Sequence, residues 1–558
     1  MIRTRWLAGA LAACVLPWAL PSPAVEVTVL VAGRIHTMDT ARPRAHAMAF
    51  DSDGRILALG SAAALQAQFP DAVLLDVGPA TVVPGLIDAH GHVAGLGLNA
   101  MRVDLAGTTS KEEALQRLRD FAAGLPEGTW LLGRGWDQNR WAGQAFPTAA
   151  DLDAHFPDRP VWLRRVDGHA GWANSVAMAR AARDLTGDWQ PDGGKIERAA
   201  GGAPTGVFID EAMSLVDAHV PELEDEVASR ALALGMQAAV AHGLTGVHDA
   251  GVSAATLAHY QRLADRGEMP LRVHAMADGD GAALDKLCRD GLYQHPGGHL
   301  QMRAVKLFAD GALGSRGAAL LTDYSDEQGN RGLLLATTAQ LDKATAKARR
   351  CGVQVATHAI GDRGNRVVLD AYARALGKEA GDDHRWRIEH AQVMTPADLP
   401  RLAQLGVIAS MQPTHATSDM GWAGDRLGPQ RIEQAYAWRE LRDSGARLAL
   451  GSDFPVESVD PRLGLYSATT RTDAAGLPTG GWQPEEKLTA YEALRGFTLD
   501  AAYAGFNEDE VGSLEVGKRA DFVVFAQDPL QIEPRQLRDL KVLATYVDGD
   551  AVYIGAVD

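Results

Sequence analysis

The chain has 558 residues, with 54 Lys and Arg against 71 Asp and Glu and a formal charge of −17. That acidic balance excludes a surface built for nucleic acid, and no membrane partner is expected of the mature chain. Hydrophobic residues at 46% exclude a disordered chain, and three cysteines exclude a disulfide scaffold or a cysteine-built zinc finger.

Arg3 and Arg5 precede an apolar stretch from Trp6 to Leu20, closed by Pro21-Ser22-Pro23-Ala24. A positive start, a short apolar run and a small-residue exit form the pattern of a secretory signal. Residues 1–24 therefore read as a signal peptide, and the mature protein as exported, periplasmic or secreted. A second reading takes Leu11-Ala12-Ala13-Cys14 as a lipoprotein box. Against it, Val15-Leu16-Pro17-Trp18 prolongs the apolar run where a lipoprotein usually turns polar. Export leaves Cys288 and Cys351, whose pairing the spacing does not decide.

Residues 25–83 read as short strands, with Asp53-Gly54 as a hairpin turn. Residues 505–558 repeat the style in Asp521-Phe-Val-Val-Phe and around Asp548-Gly549. Neither piece buries two faces alone, so both termini are expected to form one small β-sandwich. Between them, residues 84–504 alternate short apolar strands with Ala/Leu-rich helical stretches. The strands expected are Val82–Ala89, Gly246–Asp249, Leu271–Ala277, Ala304–Ala309, Val353–His358, Trp386–His390, Val407–Met411 and Arg447–Ser452. Eight such units predict an α/β fold, a closed (β/α)8 TIM barrel. The first interval is too long for one helix, so residues 97–240 read as an insertion after barrel strand 1. It holds Trp130, Trp136, Trp141, Trp162, Trp172 and Trp189. These form either the insertion's own core or an aromatic wall over the barrel mouth, the latter favouring an apolar or aromatic substrate.

Chemistry gathers at the strand ends. His90-Gly91-His92 ends the first barrel strand, and residues two apart share a face, so both imidazoles reach one ion. His358 closes Val353-Gln-Val-Ala-Thr-His, His390 closes Arg387-Ile-Glu-His, and Asp453 closes Leu448-Ala-Leu-Gly-Ser-Asp. Polar, metal-capable residues at four strand ends lie where a barrel collects its active-site groups. Nitrogen and oxygen ligands without thiolate suit Zn2+ and, less well, manganese, iron or nickel. Lys306 sits inside the apolar Val305-Lys306-Leu307-Phe308, a costly place unless its charge is paired, with Asp310 the nearby candidate, or removed.

Longer motifs surround these residues. They include Pro84–His92, Trp130–Trp141, Asp167-Gly-His-Ala170, Val305–Ser315, His358-Ala-Ile-Gly-Asp362, Ile388–Gln392, Gly451-Ser-Asp-Phe-Pro455 and Gly512–Asp521. In these the sequence resembles amidohydrolase family 3 of the amidohydrolase superfamily, the branch containing N-substituted formamide deformylase. The resemblance implies a distorted barrel flanked by the terminal β-sandwich and a centre of one or two divalent ions. It implies His90 and His92 on one ion, His358 and His390 on the other, and Asp453 beside the first. It also places Lys306 where two-metal members carry a CO2-carboxylated lysine that bridges the ions.

The chemistry implied is hydrolysis by a metal-activated water, with Asp453 as general base returning the proton to the leaving amine. Candidate substrate contacts are Asp137, Asp167 and His169 in the insertion, His248 after the second strand, and Gln412, His415 and Asp419 in the segment after the seventh. Arg426 and Arg439 are candidates to hold a carboxylate, with salt bridging as the commoner use. The function expected is an exported metal-dependent amidohydrolase cleaving an amide, N-formyl, N-acyl or cyclic amide C–N bond of a small molecule. An esterase, lactonase or isomerase on the same barrel, or a non-catalytic metal-occupied binding protein, are the alternatives. A homodimer is the default assembly.

Overall fold

The computed structural model describes residues 26–556, so the expected signal peptide and Cys14 lie outside the described residues. Apolar runs long enough to bury both faces of a strand form the barrel. Its strands, in chain order, are Leu86–Gly91, Leu244–Val252, Arg272–Asp278, Leu300–Phe308, Gln354–Ala359, Arg387–His390, Ile408–Met411 and Leu448–Leu450. They lie side by side in that same order, parallel throughout. The ring is closed beyond the ladder: His92 N donates to Phe454 O at 2.8 Å and Asp453 N to His90 O at 2.7 Å. Helices such as Asp225–Ala241, Thr338–Arg350 and Asp362–Leu376 cover it, and one continuous apolar core runs between helices and barrel.

The expected strand Val82–Ala89 is two strands. Thr81–Pro84 pairs antiparallel with Phe522–Phe525 in the terminal sheet, and Leu86–Gly91 enters the barrel beside Leu244–Val252. The break falls at Gly85, where a Cβ would stand 2.1 Å from Thr245 Oγ1, so the chain crosses there only without a side chain. The terminal sheet joins strands from both ends of the described chain over its own apolar core, as the sandwich reading expects.

The insertion builds a six-stranded sheet from Val103–Asp104 to Pro204–Asp210. Its last predicted stretch is different: the helix Asp225–Ala241 buries Leu232, Met236 and Val240 in the barrel core and belongs to the barrel's helical layer. Trp136, Trp141 and Trp172 pack ring against ring at 6.2 to 6.4 Å in the insertion's core, and Trp162 meets Phe208 on the opposite face. Trp130 and Trp189 pack against that second cluster. None of the six lines the barrel mouth. The aromatic-wall reading is therefore corrected, because burying these indoles is what holds the insertion sheet together.

Cys288 and Cys351 form a disulfide. Among the described residues no helix is long and apolar enough to cross a membrane.

Candidate metal centre and substrate cleft

The strand ends bring their side chains into one cleft of about 1720 Å³ between the barrel mouth and the insertion. His90, His390 and Asp453 each offer one ligating atom, all within 4.8 Å of one another, and all three residues are buried. The other predicted ligands border this cluster. His92 Nε2 lies 3.0 Å from Asp453 Oδ1, Lys306 Nζ lies 3.2 Å from His90 Nε2, and the His358 ring packs 4.6 Å from that of His390. His390 (φ 76°) and Asp453 (φ 61°) hold left-handed backbone that non-glycine residues rarely adopt, a strain typical of functional sites.

Hydrogen bonds fix which ring nitrogens face the cluster. His90 Nδ1 is 2.5 Å from Glu389 Oε2, and His390 Nδ1 is 2.8 Å from Gln412 Oε1. A neutral imidazole that donates through Nδ1 keeps a lone pair on Nε2. His90 Nε2 therefore presents a lone pair 3.6 Å from the Asp453 carboxylate. Asp453 Oδ1 is itself buried, with His92 Nε2 3.0 Å away. Nitrogen and oxygen atoms gathered this closely in a buried site, bordered by Lys306 and His92, make a donor set that fits a divalent metal.

The electrostatics agree. Burial lowers the His90 pKa to about 4, Lys306 adding to the effect while Glu389 opposes it, and holds His358 and His390 far below the usual histidine range. Burial pushes Asp453 upward, but His90, His92 and His390 outweigh it and keep the carboxylate ionised. Burial also lowers Lys306, against the pull of Glu389 and Asp453. Lys306 is not paired with Asp310, as the alternative had it: Asp310 accepts backbone N–H groups from Ala319, Ile360 and Gly361 at 2.8 to 2.9 Å.

Beneath the cluster, Arg387 ties the barrel strands together. It donates to both oxygens of Glu389 at 2.7 and 2.9 Å, to Ala89 O, to Ser410 Oγ and to His248 Nδ1 at 2.8 Å. Asp88 accepts from Ser452 N and Oγ and from His90 N, fixing the first strand to the eighth. Gly451 permits this approach, since a Cβ there would stand 2.5 Å from Asp88 Oδ1.

Of the predicted substrate contacts, Asp137, Asp167, His169, His415 and Asp419 line the cleft. Arg165 grips Asp137 and Asp167. His169 Nδ1 meets Asp210 Oδ1 at 2.7 Å, with its ring 5.0 Å from that of His358. His415 Nε2 is buried, without a hydrogen bond among the described residues, and 3.7 Å from Asp453 Oδ2. Three expectations are corrected. His248 lies below the cleft, its Nδ1 taken by Arg387 and its ring 4.9 Å from that of His274. Gln412 does not line the cleft but orients His390 from the N-cap of the helix Pro413–Asp419. Arg426 is buried in an ion pair with Asp326 and bonded to Asn139, which leaves it no substrate face. Arg439 is bridged to Glu492, the structural use expected. Glu389, Arg387 and Asp210 were missed; Arg387 and Glu389 share a face with alternate spacing in Arg387-Ile-Glu-His, a legible signal.

Residues 74–553 match the model of the Amidohydrolase family. The chain is 31% identical over 547 residues to the N-substituted formamide deformylase of Arthrobacter pascens, covering 93% of this chain and 97% of that protein. It is 34% identical over 554 residues to the protein LONG AFTER FAR-RED 3 of Arabidopsis thaliana, covering 96% and 92%. Among solved structures, an uncharacterized metal-dependent hydrolase from Pyrococcus horikoshii OT3 superposes with a TM-score of 0.75 at 27% identity, covering 91% of this chain and 99% of that one. Fold, cleft and similarity agree: the chain belongs to the amidohydrolase family of metal-dependent hydrolases.

Proposed function

We propose that the protein hydrolyses a C–N bond of a small amide, with His90, His92, His358, His390, Asp453 and Lys306 as the residues that hold one or two divalent ions, zinc above others. The observation that carries this reading is the buried convergence of His90, His390 and Asp453 on one point at the cleft floor. When bound, such an ion polarises a carbonyl and makes water more acidic. Asp453, ionised and open to the cleft, takes a proton on its carboxylate and returns it to the departing nitrogen. Glu389 and Gln412 keep His90 and His390 in the Nδ1–H tautomer, so that each Nε2 stays a donor of electrons. The burial of Lys306 beside His90 supports reading it as a carboxylated lysine: its neutral amine would add CO2 and lose a proton, giving an anionic carbamate in place of a costly buried cation. The similarity to the formamide deformylase favours amides over esters.

The reading includes export, supported by the Arg3/Arg5-led apolar leader and by the Cys288–Cys351 disulfide, which persists in oxidising compartments. Assays of N-formyl amides, N-acyl amides, cyclic amides, esters and lactones, with and without chelator, test the activity alongside metal content per chain. Chelator-sensitive amide turnover is expected. Ester or lactone turnover alone would move the assignment to that class, and full activity in metal-free protein would overturn it. A CO2-sized mass increment on Lys306 tests the carboxylation.

A further inference from the structure

The insertion gives the cleft two arginines, Arg102 and Arg134, that form no ion pair among the described residues. Its register sets Asp104 beside Arg134 and Arg134 beside Arg164, and Arg102 stands two residues before Asp104, so all four share a face. All four line the cleft that holds the metal cluster. Arg164 is taken by Asp217 at 2.6 Å, and the other oxygen of Asp217 accepts the Trp162 indole N–H. Asp104 accepts the backbone N–H of Ala106, and Asp167 is gripped by Arg165. Arg134 is left with one hydrogen bond, from Nη2 to Val166 O at 2.9 Å, while its Nε is buried and bonded to nothing among the described residues. Burial lowers its pKa to about 10, with Asp453 and Asp167 opposing and Arg164 assisting, so it remains a cation at neutral pH.

A partly buried guanidinium with one acceptor for its five N–H groups leaves most of its donors unused, and its planar fork matches a carboxylate better than any neutral group. Arg102 adds charge on the same face, and Asp217, the carboxylate that draws on it, is already engaged by Arg164. We propose that Arg134, with Arg102 beside it, receives a carboxylate carried by the substrate, making the substrates acid-bearing amides. The inference deepens the amide-hydrolysis reading of this same cleft and rests on it.

The test compares pairs of compounds that share one scissile amide and differ in a single group. N-acyl amino acids and half-amides of dicarboxylic acids place the acid on the amine or acyl arm, and each is matched with its hydroxymethyl counterpart. Wild type should favour the acid by at least about tenfold in kcat/KM on one arm, the worth of a charged hydrogen bond. Arg134→Gln, checked for an unchanged thermal midpoint, should collapse that ratio towards one, chiefly through KM, and Arg134→Lys should restore part of it. No preference in wild type, or a preference that survives Arg134→Gln, overturns the proposal. If wild type turns over neither partner, calorimetric binding of the same pairs decides. Acid binding lost in Arg134→Gln upholds the site while the hydrolysis reading falls, and absent or equal binding of acid and alcohol overturns the site as well.

Discussion

Glu389 Oε2 stands 2.5 Å from His90 Nδ1, and both side chains are wholly buried. The carboxylate is in turn clamped by Arg387, whose pull and that of His90 outweigh the upward push of burial and keep Glu389 ionised far below the usual range. One hydrogen bond therefore sets the tautomer and the aim of the imidazole on which the proposed centre is built. Glu389→Gln keeps the shape and removes the charge. Metal affinity should fall by about 10- to 100-fold, as for other partners that orient ligand histidines. Competition titration against a chelator of known affinity measures it, and unchanged affinity would mean that His90 is aimed by the barrel alone.

Asp453 is asked both to border the ion and to move a proton. The two roles separate in Asp453→Asn, which retains an oxygen of similar reach but cannot act as a base. Turnover should drop by about 10²- to 10⁴-fold, with most of the metal retained. Metal analysis on the same preparation decides between roles: activity and metal lost in proportion would make Asp453 a ligand only.

The strand-end residues were legible because a barrel strand has a fixed exit: a polar residue closing an apolar run at His358, His390 or Asp453 has little choice but to face the mouth. The side chains around them were not, because sequence does not show what a polar group is already bonded to. Gln412 and Arg426 have the chemistry of substrate contacts, yet one is spent on His390 and the other on Asp326. Arg134 is the converse case, unremarkable in Gly-Arg-Gly and conspicuous only once it is seen to line the cleft with a single hydrogen bond, to Val166 O. The run through Pro84 and Gly85 misled for another reason. Continuous apolar character marks burial on both faces but not a change of sheet, and only the approach of Thr245 shows why the chain breaks there.

Asp548 ties the terminal sheet to the barrel. It receives Arg272 at 2.6 Å and His299 at 2.7 Å. Burial raises its pKa, but His299, Arg272 and Arg519 more than reverse this, and the result is about 2 against an ordinary 3.8. A carboxylate depressed in the folded state stabilises fully above its unfolded pKa and loses that contribution as pH falls through the folded one. Asp548→Asn should thus cost on the order of 2 kcal/mol at neutral pH, with the deficit shrinking between about pH 4 and pH 2. Denaturant unfolding of both proteins across that range measures it. A deficit that stays constant with pH would assign the effect to packing and not to charge.

The Cys288–Cys351 bridge joins cysteines 63 residues apart, at the ends of the helices Ala282–Asp290 and Thr338–Arg350, and encloses the strand that carries Lys306. Cross-linking a loop of this length removes freedom from the unfolded chain, worth about 2–4 kcal/mol in typical cases. Reductant should lower the Tm of the wild type and leave that of the Cys288→Ser/Cys351→Ser double variant unmoved. The same pair reports on compartment. Protein expressed with residues 1–24 should yield no free thiol from Cys288 and Cys351, and protein expressed without them in a reducing cytosol should yield both. Free thiols in both preparations would remove the disulfide's support for export and leave that reading on the leader segment alone.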